Sequence, residues 1–200
     1  MLLEAQLRVI NAALYLMEKH SRSADLSRIF RFKPEWFAEE RCLIEDDQTL
    51  YREDIRLRSR TYKAHVRGRP EPVEGLWLDH PQSLIFKLWA RTDPNAPGGR
   101  GFQFLTVDWS RPGKNRFVLS VDPESGTDLK GLGELLEAEE EKKRKDLRLE
   151  RPAEPRRYPT SNSDPWYFGW GHGYTIIDSP REGTLLTGDD TRKIHEGWMP

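Results

Sequence analysis

The chain has 200 residues, 36% of them hydrophobic and 32% charged, with a formal net charge of −1. That length supports one ordinary domain with a real core, and the near-balance of charge excludes a wholly disordered polyelectrolyte. A single cysteine, Cys42, excludes an internal disulfide scaffold, and no apolar run reaches the roughly 18 residues of a membrane span.

The N-terminus lacks a basic region and a small-residue cleavage site, so the reading is of a cytoplasmic protein with no signal peptide. Residues 2–19 are predicted as an amphipathic helix, because Leu3, Leu7, Ile10, Leu14 and Met17 recur at helical spacing. Residues 24–41 are expected to form short helical pieces around Pro34, with Phe30, Phe32, Trp36 and Phe37 plugging one end of a core. Cys42 precedes the acidic run Glu45-Asp46-Asp47, which disfavours a thiolate, and reads as a small buried hydrophobe. Residues 1–48 together form a helical segment that packs on a sheet.

From about residue 49 the pattern changes to period two. Segments 55–66, 73–78, 83–90, 102–109 and 116–121 read as strands, with Leu84, Phe86 and Leu88 on one face of the third. The loops at 93–99 and 110–115 read as hairpin connections, which makes the run an antiparallel meander. Residues 127–149 are predicted as a helix. It starts on Leu129, Leu132, Leu135 and Leu136 and continues as a charged, solvated arm held by Glu139–Lys143 and Glu141–Lys145 pairs. A Pro- and Ser-rich linker spans 151–165, residues 174–177 read as a last strand, and 183–187 suggest another. The tail beyond Gly188 is polar and expected to fray, with Trp198 available to dock. The expected architecture is one α+β domain in which an antiparallel sheet of about five to seven strands carries the N-terminal helix. Its β-rich body is residues 49–200.

Two surfaces carry candidate chemistry. On a strand, Arg56, Arg58 and Arg60 project from one face and Tyr62 continues the row. Such a face suits a phosphate backbone or an acidic protein partner, or serves as a charged strand face that discourages aggregation. The second is 156–174, whose candidates are Arg157, Tyr158, Trp166, Tyr167, Trp170, His172 and Tyr174. Its aromatics supply contact area, its glycines permit close backbone approach, and His172 is its candidate general base. The loop also suits a purely structural role, closing one end of the sheet.

No phosphate loop, zinc-ligand spacing or nucleophile elbow is present, so neither a metal nor a cofactor is implied. Asp108, Asp122, Glu124 and Lys130 are the residue types a nuclease needs, in a chain whose charge content supplies them by chance. A non-enzymatic protein is the preferred reading.

The string 163–187, with Asp164-Pro165-Trp166-Tyr167-Phe168-Gly169-Trp170-Gly171-His172-Gly173-Tyr174 at its heart, carries a resemblance together with 119–126 (Leu-Ser-Val-Asp-Pro-Glu-Ser-Gly). It resembles accessory domains of bacterial NTPase-centred ternary conflict systems, which act against phage. Trp170 departs from that pattern, where a polar or charged residue is expected. The resemblance covers about the C-terminal half and carries no catalytic residue across. It implies an adaptor or recognition role beside a larger protein partner. A nucleic-acid-binding module built on the arginine row is the alternative, and a small hydrolase or nuclease around His172 the second.

Overall fold

The computed structural model describes residues 38–99, 101–149, 166–167, 169 and 173–200. The expected helix over 2–19, the aromatic pieces before residue 38 and the linker 151–165 lie outside the described residues.

The architecture is α+β. Helix α1 (Ala38–Arg58) leads into β1 (Ser59–Ala64) and β2 (Val73–Asp79), then α2 (Phe86–Thr92), β3 (Phe104–Asp108) and β4 (Phe117–Val121). Helix α3 (Lys130–Asp146), β5 (Ile176–Asp178) and α4 (Gly188–Gly197) complete it. The strands form one sheet in the order β1-β2-β3-β4-β5, antiparallel throughout except for the parallel β2–β3 pair.

That parallel pair corrects the meander reading, and the cause lies in 83–90. The alternation of Leu84, Phe86 and Leu88 is accidental: Phe86, Trp89 and Ala90 pack inward at helical spacing, while Leu84 and Leu88 stay exposed. Two buried acids of α1 select helix over strand. Asp47 accepts from the Ser83 hydroxyl at 2.8 Å, the Leu84 amide at 2.7 Å and the Trp89 indole at 2.9 Å. Asp54 accepts from the amides of Gln82 and Ser83. Amides of the approach to α2, from Gln82 to Ile85, thus find carboxylate partners, which fixes where the helix starts. The loop at 93–99 therefore joins a helix to a strand rather than two strands. The loop at 110–115 does close the β3–β4 hairpin.

The strand expected from residue 55 begins only at Ser59, because 38–58 is rich in good helix formers and continues as α1. Cys42 sits exposed on that helix, not buried.

Both sheet faces are covered over β2 and β3. On one side Tyr62, Trp77, Phe104, Phe117, Leu119 and Ile177 pack under α3, α4 and Trp166. On the other, Leu76, Leu78 and Leu105 meet Tyr51 and Ile55 of α1 and the inner side of α2. Strand β2 is buried continuously from Gly75 to Leu78, as a strand between two layers must be. At Gly75 a side chain would collide with the Tyr62 ring.

Helix α3 is not a solvated arm. Leu132, Leu136 and Glu140 are all buried at intervals of four. Glu140 receives Arg144 at 2.8 Å and the Leu185 amide at 3.0 Å, and it also bonds the Thr184 hydroxyl. Of the two expected ion pairs, Glu141–Lys145 forms at 3.9 Å, while Lys143 turns instead to Asp190 of α4 at 2.7 Å. The tail does not fray: residues 188–197 are α4, started by a capping box between Thr187 and Asp190. Trp198 docks against the core as expected. Thr184 makes one isolated bridge to Asn115, and 183–187 is no strand. No helix among the described residues is long and apolar enough to cross a membrane.

Candidate functional site

The β3–β4 hairpin carries the residues that stand out chemically. Its sequence is Asp108-Trp109-Ser110-Arg111-Pro112-Gly113-Lys114-Asn115-Arg116-Phe117. The Trp109 amide donates to the Arg116 carbonyl at 2.8 Å, and Arg111 bridges Lys114 in both directions. Gly113 supplies the positive φ of 78° that the turn requires. Alternation then sets Trp109, Arg111, Lys114 and Arg116 on one side of the hairpin. With His80 they line a recess of about 350 Å³.

This arrangement is electrostatically unusual. Arg111 and Lys114 are cross-strand partners, a like-charge pairing that costs stability. Arg116 adds a third permanent cation beside them. Among the described residues no carboxylate pairs with any of the three, although the chain holds 33 acids. The Arg116 Nε is buried and makes no hydrogen bond among the described residues. A buried donor without an acceptor is expensive, and an anion seated in the recess relieves the mutual repulsion of the three cations.

His80 closes the recess at the carboxyl ends of the parallel strands. Its φ of 47° lies in the left-handed region, where a non-glycine residue is strained. Two contacts hold it there: its amide donates to the Asp108 carbonyl at 2.9 Å, and its Nε2 lies 2.5 Å from the Ser110 carbonyl. A carbonyl only accepts, so Nε2 carries the proton and donates. The imidazole meets the Trp109 ring edge to face at 5.8 Å.

The arginine row does not exist as read. Arg56 and Arg58 belong to α1, where Arg58 pairs with Asp54 at 3.0 Å. Arg60 alone lies on β1, its guanidinium 4.5 Å over the Trp77 ring. Tyr62 is buried and shares a hydrogen bond with Thr106, offering no stacking surface. The cause is the helix: its period scatters what a strand would align.

The described part of the aromatic loop is structural. Trp166 is buried and its amide donates to Glu137. Tyr167 forms a bridge with Asp178. Tyr174, at φ 58°, accepts the Leu129 amide through its carbonyl and lies under the Lys130 ammonium at 5.9 Å. Arg157, Tyr158, Trp170 and His172 lie outside the described residues.

The four nuclease-type residues do not converge. Asp108 ends β3 beside Phe117, whereas Asp122 follows Val121, which pairs with Phe104 at the strand's other end. Asp122 accepts the Glu124 amide to start a 3-10 turn, and Lys130 pairs with Glu134 at 3.9 Å.

No family model, no curated protein and no solved structure matches this chain. The recess was nonetheless written in the sequence. Trp-x-Arg-Pro-Gly-Lys-x-Arg places four residues on one hairpin face once the Pro-Gly turn is recognised. Counting arginines per segment favours 52–69 and hides it.

Proposed function

We propose that this protein is a non-enzymatic accessory component of a bacterial multi-protein complex of the defence type, and that it works by recognising an anionic group in the hairpin recess. The observation that carries this reading is the convergence of Arg111, Lys114 and Arg116 beside Trp109 and His80 without a paired acid among the described residues. Cations set on a rigid hairpin bind a phosphate or carboxylate with little ordering cost, and Arg adds bidentate geometry. The resemblance of 163–187 supplies the setting, an adaptor beside a larger protein.

The test is calorimetric titration of the full chain with inorganic pyrophosphate at low salt. Saturable binding is expected, and Arg116→Gln should weaken it at least tenfold while the thermal midpoint stays within a few degrees. Loss of one charge-assisted contact accounts for that change, about 1.5 kcal/mol or more. A featureless titration with pyrophosphate, or an Arg116→Gln variant that binds as the wild type does, rejects the reading.

A further inference from the structure

We infer that the anion held in the recess is the phosphate chain of a nucleotide, whose base stacks on Trp109. This deepens the anion-binding reading and rests on it. Three arguments lead there. The recess offers three permanent cations, more than one phosphate group needs at about −1.5 to −2 charge each. It is about 350 Å³, within the range of small-molecule sites of roughly 300 to 1,000 Å³. Its largest aromatic plane among the described residues is the Trp109 indole, which shares a hairpin face with the cations. A simple polyphosphate or an acidic peptide uses the cations but gains nothing from an indole beside them. A planar base carrying phosphates uses both.

The geometry also holds the indole in place. Trp109 is tied through its amide to Arg116, and its ring is buttressed edge to face by His80, which Ser110 fixes in turn. A pre-oriented ring stacks without further ordering cost. The polar groups described in the recess are three cations and a His80 already engaged by Ser110, which match phosphates, so the preference is for a nucleotide of any base. A free nucleotide and the 5′-phosphorylated end of a single strand both present this chemistry.

The experiment titrates the full chain with inorganic triphosphate, with a nucleoside triphosphate and with a short 5′-phosphorylated single-stranded oligonucleotide. Wild type, Trp109→Leu and Trp109→Phe are compared, and each variant's thermal midpoint is checked. The nucleoside triphosphate is expected to bind about five- to 150-fold more tightly than inorganic triphosphate, the worth of one stacked base. Trp109→Leu should erase that preference, and Trp109→Phe should restore most of it. A tighter oligonucleotide assigns the source to a strand end, and a tighter free nucleotide assigns it to the small molecule. Equal affinity for nucleotide and triphosphate overturns this inference and leaves the anion reading standing. Absence of binding by all three overturns both. An acidic peptide that outcompetes every phosphate compound also overturns the nucleotide assignment.

Discussion

His195 shows how a single residue ties this fold to pH. It lies on α4, buried between Tyr62 at 4.8 Å and Phe104 at 5.0 Å, with no hydrogen-bond partner for Nε2 among the described residues. Burial, reinforced by the nearby His65, pushes its pKa down to about 3. The unfolded chain takes up a proton near pH 6.5 that the folded chain refuses. Stability associated with this group is therefore complete above about pH 6.5 and declines as pH falls toward 3, at up to about 1.4 kcal/mol per pH unit. Urea midpoints at pH 7, 5.5 and 4.5 should fall in the wild type and fall less in His195→Phe. Parallel profiles would contradict the assignment. Asp190 acts in a lower window. Partial burial opposes its ionisation, but bonds from Lys143 and Thr187 prevail and hold its pKa at about 2. Its contribution is present above about pH 3.8 and fades toward pH 2, below the range of those measurements.

At the scale of elements, α1 extends two acids and α3 one into the interior to fix a neighbouring segment. Asp47 and Asp54 hold the approach to α2, and Glu140 holds Thr184 and Leu185 against α3. Asp47→Ala removes a buried carboxylate from several donors and should cost about 1.5 to 3 kcal/mol in a urea melt. Exposed Asp46→Ala is the control and should stay within about 0.5 kcal/mol. Equal effects would mean that the acidic run matters as general charge, not as an anchor for α2. The same comparison explains a failure of pattern reading. In 45–47 three acids look alike, and helix phase alone selects Asp47 for the interior. In 83–90 the alternation pointed to a strand until those acids imposed a helix.

The whole molecule is close to neutral, yet its hairpin tip concentrates cations on one side. A local field of this kind draws in anions despite the balanced total, and salt screens it over about 8 to 10 Å. Affinity for a polyphosphate should therefore fall as sodium chloride rises. Arg111→Gln and Arg116→Gln should each reduce the slope of log affinity against log salt by about one. A slope that neither substitution changes would place the bound anion elsewhere.

The sequence by itself determined the α+β class, strands β2, β3 and β4, the helix after residue 127 and the β3–β4 hairpin. These follow from local alternation, helical spacing and turn residues, which act over a few positions. Its hairpin even spelled out the recess, because paired strands bring Trp109, Arg111, Lys114 and Arg116 together with no distant help except His80. Tertiary structure decided the rest. It turned 83–90 into a helix and so made β2 and β3 parallel, because Asp47 and Asp54 approach from another element. It buried Glu140 and drew α3 onto the sheet, because Thr184 and Leu185 return there 44 and 45 residues later. It dispersed Arg56, Arg58 and Arg60, because α1 runs on to Arg58 before the strand begins. For α2 and α3 the deciding energy is a hydrogen bond or packed face whose partner lies far along the chain, where no local period records it, whereas α1 runs on through its own helix formers.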